Sequence, residues 1–248
     1  MKRFRNTIIL SVLLALTLCV GAQAAENTML KVGLKYGTNA LFTARLQNYN
    51  DTLSGSGYEF GYYDADRSFV PLAATDEQRI TVTVDSNAYV SGGVCYETRP
   101  TNYSTILGAY HIELLTAFGS YEEALSVAQS YPKGFVAYID GAYRVRVGNH
   151  ASYDESARVL SETDVLAYGA QVVTPSSTGV VVSVTDTDTV LFEFDCSGLR
   201  SLGVRPRSVS GEKTVTWFSG YRYYGGAEVD RLQDILYYRA LGGELAQI

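Results

Sequence analysis

The feature that most constrains this chain is a two-residue turn with a matched pair of helix starts on either side of it. "FVAYI", Asp140-Gly141 and "AYRVRV" read as strand, turn and strand. Asp-Gly between two apolar runs is the strongest short-range hairpin signal there is. Upstream, "SYEEALSVA" begins at Ser120; downstream, "SYDESARVL" begins at Ser152. In each, a Ser is followed three residues later by a Glu (Glu123, Glu155), the spacing of a capping box. The hydroxyl accepts from the third helical amide while the Glu reaches back. Tyr121, Ala124, Leu125 and Ala128 follow the first cap at helical spacing, and Pro132 marks the stop. Tyr153, Ala157, Val159 and Leu160 give the second helix an apolar side. "YHIELLT" before the first helix alternates as a strand, and "AQVV" (Ala170–Val173) closes the series. The order β-α-β-β-α-β is the split βαβ, or ferredoxin-like, arrangement. In it both helices cover one side of a four-stranded sheet and leave the other face free for a ligand.

The flanks read as β. "LKVGLKY" from Leu30 and "RITVTVD" (Arg79–Asp85) alternate. "SGSGYEFGYYDADRSFVPL" is a hairpin divided by Asp64-Ala65-Asp66, and "NAYVSGG" ends in a glycine turn. After a linker at Thr174-Pro175-Ser176-Ser177-Thr178, "GVVVSVT" and "TVLFEFD" pair across Asp186-Thr187-Asp188. "KTVTWFSGYRYYGGAEV" is another aromatic strand pair, and "DRLQDILYYRALGGELAQI" fits a terminal helix. The predicted class is α+β: mostly antiparallel β with a βαββαβ domain. Its expected divisions are a signal peptide over 1–24, a β-rich segment over 25–105, the βαββαβ domain over 106–174 and a β-rich segment over 175–248. The two β segments are expected to form one domain.

The signal peptide rests on Lys2, Arg3 and Arg5, the apolar run Ile8 to Val20, and an A-x-A cleavage site at Ala22-Gln23-Ala24. The run is too short for a good membrane span, so an exported protein with no stable span is expected. Cleavage removes three of 20 basic residues, leaving 17 against 26 acidic, a net charge of −9. That excludes a nucleic-acid partner, since phosphate binding needs an electropositive face. The two cysteines left after cleavage, Cys95 and Cys196, can form one disulfide or remain free thiols. His111 and His150 are the only histidines, and neither has a second ligand at metal-binding spacing, so no metal or cofactor is expected. No G-x-S-x-G, H-E-x-x-H or phosphate loop occurs. Asp186 and Asp188 read as turn residues and Asp195 as the end of a strand, rather than as a calcium site.

Residues 106–174 resemble a SPOR domain, a module that binds peptidoglycan glycan strands stripped of their stem peptides. The resemblance rests on "YHIELLTAFGSYEEALSVAQSY", "FVAYIDGAYRVRVG" and "ASYDESARVL". It implies a glycan-binding sheet face, which by alternation includes His111, Glu113 and Leu115, then Val136 and Tyr138, then Arg144 and Arg146. Rings stack on sugars while Arg and Glu hydrogen-bond hydroxyl and acetamido groups. Alternation alone leaves a solvated outer face equally open. The flanks "LKVGLKYG", "LFEFD", "LGVRP" and "TWFSGYRYYGGAEV" resemble the opening β portion of SpoIID/LytB cell-wall proteins of sporulation and amidase enhancement. The part of that family carrying an acidic residue linked to glycan cleavage has no counterpart here, so no catalytic residue carries over. The resemblances imply a secreted, wall-associated, non-catalytic peptidoglycan-binding protein, with glycan strands and a cell-wall hydrolase as partners. A glycan-strand lytic enzyme or amidase enhancer, and an extracellular protein-interaction β module, are the competing readings.

Overall fold

A computed structural model of the chain describes residues 40–48, 56–66, 68–162 and 169–207, with two further backbone strands at 216–218 and 221–223. The expected signal peptide, the strand from Leu30 and the terminal helix lie outside the described residues. In chain order the strands are β1 (Thr43–Gln47), β2 (Tyr58–Tyr63), β3 (Phe69–Thr75), β4 (Arg79–Val84), β5 (Ala88–Ser91), β6 (Val94–Tyr96), β7 (Thr105–Leu107) and β8 (Tyr110–Leu114). Helix α1 (Tyr121–Ala128), strands β9 (Gly134–Ile139) and β10 (Ala142–His150) and helix α2 (Tyr153–Glu162) follow. The remaining strands are β11 (Ala170–Val173), β12 (Val180–Val184), β13 (Val190–Asp195), β14 (Gly203–Pro206), β15 (Thr216–Phe218) and β16 (Tyr221–Tyr223).

Local chemistry sets the centre of this order. Asp140 and Gly141 both take positive φ, 48° and 91°, as a type I′ turn requires. Ile139 therefore pairs directly with Ala142, and the register runs on to Gly134 opposite Val147. Ser120 Oγ accepts from the Glu123 amide at 3.2 Å, and Ser152 Oγ from the Glu155 amide at 3.3 Å. Each Glu reaches one residue further back than the simple capping box, to the N–H of Gly119 and of Ala151.

The expected self-contained βαββαβ domain is not what these elements build. Strands β11, β8, β10 and β9 do lie side by side, but β9 is not an edge: β13 pairs with it in parallel, Phe192 opposite Val136 and Asp195 opposite Ile139. The sheet continues through β12, β4 and β1 to β15 and β16, one ten-stranded mixed sheet in the order β11-β8-β10-β9-β13-β12-β4-β1-β15-β16. Strand makes up 48% of the structure and helix 12%, so the fold is mostly β around this sheet, not α+β with a small inserted domain. The described residues all fall within one compact unit. The sequence carried a sign of this: "GFVAYI" is buried at four successive positions, with no polar alternation. A strand covered on both faces reads that way, and an edge strand does not.

Two smaller sheets and α1 cover the large one. The sheet β14-β2-β3 brings Tyr58, Phe60, Leu72 and Ala73 against Phe192, Phe194, Val182 and Ile80. Phe60 stacks on Phe192 with ring centroids 5.7 Å apart, and Tyr143 Oη donates to the Leu72 carbonyl at 2.9 Å. Ala124 and Ala128 of α1 enter the same core beside Val136, Tyr138 and Val145. On the opposite face, Ala88 of β5 and Leu107 of β7 pack against Val181, whose neighbours Val180 and Val182 face the first core.

Phe192 is fully buried where three layers meet. Phe192→Ala is expected to cost about 3–5 kcal/mol, the usual penalty for emptying an aromatic core site. Urea denaturation measures it, and a loss below about 1 kcal/mol would show that the layers do not depend on this ring.

Candidate functional site

Cross-strand registers define one polar row on the large sheet. Gln171 lies opposite Glu113, Glu113 opposite Arg146 and Arg146 opposite Phe135. One step along β9, Ala137 lies opposite Glu193, Glu193 opposite Val181 and Val181 opposite Thr83. Directly opposed residues share a face, so His111, Glu113, Arg144 and Arg146 do fall together as alternation predicts. The face is nonetheless shut: His111, Glu113, Arg146 and Glu193 are 1%, 8%, 7% and 1% exposed.

The other residues expected on that face separate from these. Val136 and Tyr138 point to the opposite side, into the core with α1, because Tyr138 pairs with Tyr143 and Val136 with Val145. Leu115 is 54% exposed just beyond the end of β8, and its carbonyl accepts from Arg144 Nη1 at 3.1 Å. The open glycan face expected from His111, Glu113, Leu115, Tyr138, Arg144 and Arg146 is thus corrected to a closed row of His111, Glu113 and Arg146, a half-buried Arg144 tied to the Leu115 carbonyl, one buried ring on the other side and one exposed leucine. Cys95 and Cys196 are free thiols rather than a disulfide. Cys95 lies among Arg45, Asp186 and Thr43, and Cys196 among Arg200, Asp140 and Gly141.

Arg146 organises the buried row. Its Nε donates to Glu113 Oε2 at 2.9 Å and its Nη1 to Glu193 Oε1, so one guanidinium ties β8, β10 and β13 together. The short side chain of Ala137 on β9, opposite Arg144 on β10 and Glu193 on β13, leaves room above β9 for that reach. Burial disfavours the Arg146 charge, but Glu193 and Glu113 outweigh it and hold its pKa above the usual value. His111 Nδ1 donates to the Gly148 carbonyl at 2.7 Å. Gly148 sits at an irregularity in β10 with φ of 75°, which presents that carbonyl. The other nitrogen, Nε2, faces Glu193 Oε2 at 3.9 Å, and neither atom has a hydrogen-bond partner. Burial lowers the His111 pKa, with Glu193 pulling the other way, so the ring is neutral near pH 7.

Sequence reasoning missed two members of this group. Glu193, between Phe192 and Phe194 in "LFEFD", was legible as the polar position of an alternating strand, but its partner Arg146 is 47 residues away. Asp85 stood at the end of "RITVTVD" as a strand-ending residue; it is 4% exposed and lies in the field of Glu193 and Arg146.

A different surface is open. On the outer side of β14-β2-β3, Phe69 lies across two glycines: a Cβ at Gly61 would sit 2.8 Å from its ring and one at Gly203 3.1 Å. Tyr63, 47% exposed, meets Phe69 edge-on at 5.3 Å. Arg205 lies over the Phe69 ring at 4.2 Å and donates through Nε to Glu59 at 2.6 Å. The exposed Tyr63 ring, the Arg205 guanidinium laid over Phe69 and the Glu59 carboxylate therefore share one patch.

Among the described residues, no group of three or more His, Cys, Asp and Glu side chains is placed to hold a metal ion. Nor is any described helix long and apolar enough to cross a membrane. No family model, curated protein or solved structure matches the chain.

Arg146→Met is expected to cost about 3–5 kcal/mol by leaving Glu113 and Glu193 buried without their cation, measured by urea denaturation at pH 7; a neutral result would show that the row is solvated. His111 is expected to take up its proton at a lower pH than an ordinary His, whose pKa is near 6.5, as followed by imidazole NMR shifts through a pH titration. Since its folded pKa lies below the unfolded value near 6.5, its contribution is present above that pH and is lost as pH falls below it.

Proposed function

We propose that this is an exported, wall-associated protein that binds peptidoglycan glycan strands without cleaving them, through the outer face of β14-β2-β3. The observation that carries the reading is the patch of Tyr63, Phe69, Arg205 and Glu59. Sugars are held by stacking on rings beside groups that donate and accept hydrogen bonds, usually in a shallow site. Arg205 supplies donors and Glu59 acceptors for hydroxyl and acetamido groups. Because Phe69 rests on Gly61 and Gly203, the patch is held flat by backbone rather than by mobile side chains. The resemblance of "YHIELLTAFGSYEEALSVAQSY" and "YRVRVG" to glycan-binding modules supports the ligand class. The face that resemblance points to is closed by Arg146 and its partners, so the patch on β14-β2-β3 takes its place.

Purified sacculi, with and without amidase pretreatment, test this. Retention is expected only on amidase-stripped material. Tyr63→Ala is expected to weaken it about tenfold, some 1.4 kcal/mol, with only a small change in Tm because about half of Tyr63 is exposed. Release of soluble muropeptides would replace the proposal with a lytic enzyme. An absence of retention would replace it with a protein-interaction module, and full retention by Tyr63→Ala would move the site off this patch.

A further inference from the structure

The connection from β11 to β12, residues 174–179, is tied to the sheet by two carboxylates in opposite electrostatic circumstances. Asp195 Oδ1 accepts from Thr178 Oγ1 and from the Ser197 amide, each at 2.8 Å. Burial would raise its pKa, but bonds from Ser176, Thr178 and Ser197 pull it below the ordinary carboxylate value. Asp85 has one donor: its Oδ2 accepts from the Ser176 amide at 2.7 Å. Its own amide donates to the Gly179 carbonyl at 2.9 Å, so backbone and side chain of one residue hold the segment at two points, Ser176 and Gly179. The Asp85 side chain lies over Gly179, where an added Cβ would come within 2.9 Å of the Asp85 Cβ.

The remaining oxygen of Asp85, Oδ1, is buried with no hydrogen-bond partner. The charged groups facing it are Glu193 and Asp195 of β13, both of its own sign, and Arg146 of β10. Arg146 is already engaged with Glu113 and Glu193. His111 of β8, beside Glu193, is neutral near pH 7 and offers no compensating charge. An ionised Asp85 in this position is therefore desolvated and repelled by two carboxylates, with one amide and the shared field of Arg146 in its support.

We propose that Asp85 is a proton-operated latch on residues 174–179: protonated, it keeps the segment seated on the sheet; ionised, it is relieved when the segment lifts and water reaches the carboxylate. Burial first, and Glu193 second, push the seated carboxyl up to about 7. With the segment lifted the group returns toward the ordinary Asp value near 4. Between those values the seated form holds a proton that the lifted form has lost. Opening therefore grows with rising pH, by up to roughly tenfold per unit, and levels off above about pH 7. The latch is tight in acid and loose at neutral pH, a direction opposite to that of His111.

Amide hydrogen exchange at Ser176 and Gly179, corrected for base catalysis and followed by NMR from pH 5 to 8, reads this opening. The expected result is a rise of roughly ten- to a hundredfold between pH 5 and 7, with Val145 in the core unaffected. Asp85→Asn is expected to flatten the profile, because it cannot ionise. A flat profile in the unaltered protein, or the same slope in Asp85→Asn, would overturn the latch. Should Asp85→Asn fail to fold, the Asp85 carboxyl resonance of the unaltered protein decides instead: a midpoint near 7, matched by the Ser176 amide shift, supports the latch, and one below 5 overturns it.

Discussion

The rest of the structure depends on one guanidinium. Arg146 bridges Glu113 on β8 and Glu193 on β13, reaching over β9 between them. A buried ion pair adds little net stability over a well-packed apolar alternative, but it is costly to break. Its effect is to specify register. Glu193 meets Arg146 only if β13 pairs in parallel with β9 at the observed position, with Glu193 beside Ala137. A slip of one residue would turn Glu193 into the core of Phe60, Tyr138 and Val182 and bring Phe192 or Phe194 to the polar row. The same contact closes the sheet face, so the residues that look most like a ligand site are engaged with one another.

That closure separates two roles that a single exposed face would have combined. The polar row joins strands and sets up opposed titrations, with a neutral His111 on one side of Glu193 and Asp85 on the other. The outer face of β14-β2-β3, where Tyr63 is presented to solvent, is the surface we propose for the ligand. Gly61 and Gly203 matter there for what they lack: without a Cβ on either, Phe69 lies flat on the sheet and Tyr63 stands beside it. Arg205 serves both purposes, covering Phe69 and pairing with Glu59 across adjacent strands.

Features whose physics is local were legible. The Asp140-Gly141 turn follows from positive φ at two adjacent residues, and the starts of α1 and α2 follow from Ser120 and Ser152 accepting amides three residues on. Alternation also assigned His111, Glu113, Arg144 and Arg146 to one face correctly. What it does not state is whether a face is open. "FVAYI" carried a hint, since four successive buried positions mark a strand covered on both sides.

The sequence by itself determined the turns, the caps, the approximate strands and which side chains alternate together, because each depends on residues a few positions apart. Only the tertiary structure decided that β9 is central rather than an edge, that Val136 and Tyr138 point into the core, and that Glu113 and Arg146 are sealed by Glu193. The reason is distance along the chain. Phe192 meets Val136 and Arg205 meets Glu59 across separations of 56 and 146 residues, and no local propensity reports a partner that far away.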